Sequence, residues 1–345
     1  MSNKPEKIEL PPRPSIPSGP IPTKQPFEGV INEVKIRALN NVEQELRNLR
    51  HGRIKKLEEL RKSKIFVYYS WDTLDHSDAQ QFYEILDLYS PKIKNIDLFI
   101  LSPGGFSDPA FKIARLCQDY IQSGGRFSVL IPYYAKSAAT ILSLGADEII
   151  MGPSSELGPI DPQIQITDKS GRKRMVPLLA LRDALKFIKD EVKENPSLTG
   201  MYWPQMESID VMSLGHYNRE IESSKQYAIQ LLQARMFKDD KTKSEDTAKK
   251  LVDFYKNHRY VIDRKEARDE LNLQIVDAKP EEWEAMWQLH KLYDTILRDF
   301  REEKKLAVKI FETLEVTSVR GIPLQELPEK SESSFFEYSE ANNGR

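Results

Sequence analysis

The chain has 345 residues, 30% of them charged and 39% hydrophobic, and a formal net charge of −2. It is long enough to bury a sizeable core, and its charge balance gives no global pull toward nucleic acid or an anionic membrane. A single cysteine, Cys117, excludes an internal disulfide framework, and no window approaches the ~20 uninterrupted apolar residues that a membrane helix needs. Residues 1–26 carry eight prolines from Pro5 to Pro26, which predicts an extended Pro-rich arm and offers a docking segment for a protein partner. The N-terminus lacks the apolar core of a signal peptide, so the expected compartment is the cytoplasm.

From Phe27 to residue 63, Val30, Val34, Leu46, Leu49, Ile54, Leu57 and Leu60 recur mostly at spacings of three and four, which predicts a long amphipathic helix suited to assembly. Short apolar runs then alternate with helical patterns. Strands are predicted over 64–70, 96–102, 126–132 and 147–151, and helices over His76–Tyr89, Asp108–Gln122 and Ala138–Leu144, with Asp108 as N-cap and Pro109 at the first helical position. The alternation argues for an α/β fold on a parallel sheet, in which function gathers beyond the carboxyl ends of the strands. After Pro177 the pattern is mainly helical, over Leu178–Glu194, Ile209–Phe237, Ser244–Asn257 and Pro280–Glu312. A short extended piece, a small helix and a short strand fall between the last two. The tail from residue 326, rich in Ser and Glu, reads as disordered.

Two strand-to-helix loops carry small residues. In "LSPGG", Pro103 stops a strand, and Gly104 and Gly105 can aim backbone N–H groups into the space above the sheet. In "IPYYAKSAAT", Ser137 stands where the next helix begins, and Ala138 and Ala139 leave room for a carbonyl to approach. Taken alone, Pro-Gly-Gly reads first as a tight strand-to-helix turn, and Ser137 is equally an N-cap.

The two loops together resemble the Clp protease and signal-peptide-peptidase superfamily. The runs "IPYYAKSAATILSLGADEIIM" and "LGPIDPQ" are similar to the serine dehydrogenase proteinase family. The resemblance covers residues 64–165 well and 255–278 loosely. It implies a ClpP/crotonase-like core over 64–280, with the long helix before it and a helical segment, 281–325, after it. It further implies a serine peptidase acting on polypeptide through an acyl-enzyme on Ser137, with Gly104 or Gly105 and Ala138 as oxyanion donors, and assembly as a homo-oligomer. Two sets of residues compete for the general base: His258 with Asp161 as its orienter, or Lys169 or Lys173 in a Ser–Lys arrangement. Lys136, directly before the serine, is expected to point away from it. No histidine occurs between Ser137 and His216, so a catalytically silent scaffold that binds a peptide or partner is the rival reading, and an acyl-CoA enzyme the third. No Cys/His/Asp cluster has metal-ligand spacing, and neither metal nor cofactor is expected.

Overall fold

The computed structural model describes residues 26–89, 93–167, 173–207, 211–238, 240–255 and 257–324. The predicted Pro-rich arm and Ser/Glu tail therefore lie outside the described residues. In chain order the elements are α1 (Pro26–Arg61), β1 (Lys64–Ser70), α2 (His76–Asp87), β2 (Ile96–Leu101), α3 (Ser107–Tyr120), β3 (Phe127–Ile131), β4 (Tyr134–Ala135), α4 (Ala138–Ser143), β5 (Glu148–Met151) and β6 (Glu156–Leu157). They continue with β7 (Gln163–Thr167), β8 (Lys173–Pro177), α5 (Leu178–Glu194), α6 (Thr199–Glu207), α7 (Val211–Ala234), α8 (Lys241–Lys249), β9 (Ile262–Asp263), α9 (Arg264–Asp269), β10 (Ile275–Asp277), α10 (Pro280–Glu302), β11 (Leu306–Glu312) and β12 (Thr317–Pro323). Two units part inside α1, one ending at Asn48 and the other running from Leu49.

The second unit is built on a seven-stranded sheet of order β10-β5-β3-β2-β1-β11-β12. Its first five strands are parallel, and β11 and β12 close one edge antiparallel. The parallel strands are almost wholly apolar, as sheets covered on both faces require. Side chains alternate between the two faces with the strand period. Phe66, Tyr68, Leu98, Ile100, Val129 and Ile149 pack toward α2, α3, α4 and α7. Ile65, Val67, Tyr69, Phe99, Leu130 and Ile150 pack instead against Ile54 and Leu57 of α1 and against Met286, Leu289 and Tyr293 of α10. Arg50 ties α1 to the sheet edge with a two-pronged pair to buried Glu312, which also accepts the Tyr293 hydroxyl.

Two expectations fail here. The helix predicted to run to Glu312 stops at Glu302: Lys305 takes a positive φ of 53°, and Leu306–Pro323 turn back as a hairpin on the sheet edge. Residues 281–324 are thus part of the sheet-bearing unit and not a separate helical segment. The α3 helix begins at Ser107 with Phe106 at the N-cap position and no side-chain cap, so Asp108 lies inside the first turn. The pairing of β7 with β8 is not among the predicted strands. Cys117 is fully buried, and burial pushes its thiol well above the ordinary range, so it stays protonated.

His290 of α10 gives the sheet a pH dependence. The residue is 5% exposed, sits among Trp287, Tyr133 and Tyr69, and its Nδ1 shares a hydrogen bond of 2.7 Å with the Tyr69 hydroxyl. Burial, only partly offset by Asp294, lowers its pKa from 6.5 to about 4. Between those values the unfolded chain binds a proton that the folded chain refuses. Stability is therefore fully present above pH 6.5 and falls as the pH drops toward about 4, by on the order of 3 kcal/mol. Urea titrations from pH 7.5 to 4 should show this slope in the wild type, and a shallower one in His290→Gln.

Candidate active site

The carboxyl ends of β1, β2, β3 and β5 carry the loops 71–75, 102–106, 132–137 and 152–161. Short main-chain bridges knit them together. Ser102 pairs with Ala135, and Leu74 pairs with Gly105 through Leu74 N–H to Gly104 O at 2.8 Å and Phe106 N–H to Leu74 O at 2.9 Å. Small parallel and antiparallel pairings of β4, β6 and β9 extend the same scaffold.

Ser137 stands at the N-cap position of α4, 9% exposed, at φ 50° and ψ −115°. Its hydroxyl makes no cap hydrogen bond, so the plain N-cap role does not hold. The other non-glycine residues with positive φ among those described, Lys62, Asn272 and Lys305, each follow a helix. Ser137 instead opens one. Such a conformation costs about 1–3 kcal/mol and gathers at sites where geometry is held for chemistry. The α4 helix behind it is short, buried and small-sided, which lets it sit against the sheet end.

Gly104 lies directly against this serine. A Cβ on Gly104 would fall 2.6 Å from the Lys136 carbonyl oxygen, 2.8 Å from Ser137 Cβ and 3.0 Å from the Ala138 nitrogen, and its φ is +101°. Only glycine allows that approach. The Gly104 N–H is taken by Ser102 Oγ at 3.1 Å, so it is not available to a substrate. Among the described residues the N–H groups of Gly105 and Ala138 have no acceptor. In a parallel bridge the N–H and carbonyl of the central residue face away from the partner strand, so Gly105 N–H turns away from Leu74.

Two buried ties bring the remaining loops to α4. Thr140 Oγ1 donates to the carbonyls of Ala135 (2.9 Å) and Gly158 (2.8 Å) and accepts the Gly158 N–H (3.2 Å). Lys136 Nζ pairs with Glu156 at 2.9 Å and bonds the carbonyls of Leu157 and Tyr260, each at 3.2 Å. Burial lowers the Lys136 pKa, while the Glu156 pairing raises it in part. All the partners of its ammonium lie in the 156–157 and 260 loops. Neither tie was read from the sequence, and a threonine one turn into a helix that opens on serine is the signal that pointed to the first.

Three residues beyond Gly158 is Asp161, 6% exposed, and two residues before Tyr260 is His258. The structure brings these two together: His258 Nδ1 lies 3.6 Å from Asp161 Oδ2. That is just beyond a hydrogen bond, and both His258 Nδ1 and Asp161 Oδ1 are buried without a partner. Of the alternative bases, Lys169 lies outside the described residues, as does the side chain of Lys173, whose backbone opens β8.

The site thus combines a mostly parallel α/β sheet, a strained serine at a strand-to-helix junction and a facing glycine loop. Residues 32–174 match the family described as ClpP-like SDH-type serine proteinase. Two uncharacterized proteins of Methanocaldococcus jannaschii, MJ0137 and MJ1495, are 41% and 39% identical over 75 residues, covering 22% of this chain. The chain spans 25% of the length of either relative. Among solved structures, a mutant of the 1510-N membrane-bound stomatin-specific protease aligns at 15% identity and a TM-score of 0.38, covering 64% of this chain and 82% of that one. ClpP1 from Listeria monocytogenes aligns at 13% identity and a TM-score of 0.36, covering 70% and 99%. Both likenesses are loose. No helix among the described residues is long and apolar enough to cross a membrane.

Proposed function

We propose that the protein is a serine peptidase that cleaves polypeptides through an acyl-enzyme on Ser137. The observation that carries this reading is the strained, uncapped Ser137 pressed against Gly104, with the N–H groups of Gly105 and Ala138 unpaired beside it. Ser137 Oγ attacks the scissile carbonyl carbon, and the oxygen that becomes negative is received by those two N–H groups, one from the glycine loop and one from the α4 N-terminus. His258 takes the serine proton and passes it to the departing amine. Asp161 steadies the imidazolium. Water, activated by the same histidine, then releases the acyl group and restores the serine.

Support for the base is the half-buried His258 beside buried Asp161, 3.6 Å apart, with unpartnered buried atoms, His258 Nδ1 and Asp161 Oδ1, on both residues. Hydrogen bonds of this kind are commonly long before substrate binds. The matched family supports peptide hydrolysis as the reaction.

The test is hydrolysis of a fluorogenic peptide library by the wild type and Ser137→Ala, with matched melting temperatures. A fall of at least about 10³-fold is expected, since the residual rate comes from binding and the oxyanion donors alone. Equal rates in the two proteins would overturn the reading. A folded wild type with no hydrolysis at all would favour a silent scaffold.

A further inference from the structure

Lys309 is out of place by the strand pattern. In β11, Val308 and Ile310 face α10, while Lys309 and Phe311 face the opposite core with Tyr68 and Phe82. A lysine there is 1% exposed, and its ammonium has given up its water. A methionine of the same length would fill the space without that desolvation. What the ammonium holds is specific. Its three protons match three acceptors: Thr73 O at 2.6 Å, Asp75 Oδ2 at 2.8 Å and Asp78 Oδ2 at 2.8 Å.

Two of those acceptors, Thr73 and Asp75, flank Leu74 on either side in the chain. Leu74 in turn makes the bridge that holds the glycine loop, donating its N–H to Gly104 O and accepting the Phe106 N–H. A Cβ on Gly105 would meet the Leu74 oxygen at 2.2 Å and its nitrogen at 2.5 Å, so the two segments are packed as closely as main chains allow. Asp75 and Asp78 form the capping box of α2, and Asp78 also accepts the Tyr68 hydroxyl at 2.9 Å. Arg320 of β12 reaches Ser77 Oγ at 2.8 Å and closes the cluster from the hairpin side. The network thus runs from β11 through the 73–75 loop to the peptide plane that carries the Gly105 N–H.

We infer that Lys309 is a positioning residue for the Gly105 N–H, held in place through Leu74 by the Lys309–Thr73–Asp75–Asp78 network, so that the C-terminal hairpin is part of the catalytic machinery's support. This inference rests on the peptidase reading above. Lys309 touches no substrate. Its effect is to fix where an oxyanion donor points.

The test uses the full chain carrying Lys309→Met, with Lys309→Arg as the conservative variant. Amide hydrogen exchange is read at Leu74 and Phe106, the two bridge donors, and at Leu289 in α10 on the other face of the sheet. Protection at Leu74 and Phe106 is expected to fall on the order of tenfold or more in Lys309→Met, while Leu289 changes less than about twofold. A donor aimed at the transition state acts on kcat, so kcat on the best fluorogenic peptide should fall on the order of 10–100-fold with KM changed less than about twofold. Lys309→Arg should recover part of both losses. Unchanged protection at Leu74 and Phe106, or a loss carried by KM, overturns the inference while leaving the peptidase reading intact. Lost protection in a protein whose wild type never hydrolyses peptide overturns the peptidase reading, and with it the catalytic role of the network. If Lys309→Met does not fold, Asp75→Asn keeps the helix cap, removes one of the two carboxylate charges facing the ammonium and is held to the same outcomes.

Discussion

Gly104→Ala is expected to abolish peptide hydrolysis and to lower stability by on the order of 3 kcal/mol. The added methyl would press on the Lys136 carbonyl at 2.6 Å, on Ser137 Cβ at 2.8 Å and on the Ala138 nitrogen at 3.0 Å. Two of those three atoms are main chain and cannot turn aside, so the strand-to-helix loop itself must move. The backbone of Gly104, at φ +101°, adds a strain that alanine does not relieve. A shift of about 1 Å at this point separates the nucleophile from its oxyanion donors, and misplacement of that size costs on the order of 100-fold before any loss of folded protein. Thermal unfolding and peptide turnover, measured on the same preparation, separate the two effects. A variant as stable and as active as the wild type would mean that the Gly104–Ser137 approach is not needed.

His258→Ala is the second large effect. Removing a positioned base costs about 10²–10⁴-fold. The loss should fall on kcat/KM for hydrolysis. Asp161→Asn should lower the rate less severely, because it alters the orientation of the imidazole and not the base itself. Ser137 and His258 act as a unit under this reading, so the double variant should be no worse than Ser137→Ala alone. Additive losses would assign His258 a role apart from the serine. Lys136 is adjacent to Ser137, and its ammonium holds the Tyr260 carbonyl two residues from His258.

The sheet was legible in the sequence because its strands are buried on both faces and read as unbroken apolar runs, "KIFVYYS" and "FSVLI" among them. Ser137 and the Pro-Gly-Gly loop each had an ordinary turn or cap reading taken alone, and it was the family resemblance of the two loops together that brought them forward as candidates. The C-terminal hairpin was not legible. Leu306, Ile310 and Leu314 fall at helical spacing after a long helix, and what breaks the helix is a left-handed turn at Lys305, a residue with no sequence mark of that role. The α3 cap was misread for a related reason. Asp108 and Pro109 look like a helix start, but the bridge between Leu74 and Gly105 fixes the chain up to Phe106, and the helix begins directly after it.

The Asp161–His258 neighbourhood depends on the pairing of β6 with β9 across about a hundred residues, which no local period encodes. The family resemblance brought these two residues forward as candidates, and the fold then set them 3.6 Å apart. Lys309 was missed altogether, since one lysine in a charged stretch gives no sign that it will be buried.

The most direct measurement is mapping of a fluorophosphonate adduct by peptide mass spectrometry on the full chain. A single adduct on Ser137 is expected in the wild type, formed on the order of 100-fold more slowly in His258→Ala and absent in Ser137→Ala. An adduct on another serine, or none under conditions that label other serine peptidases, would contradict Ser137 as the nucleophile.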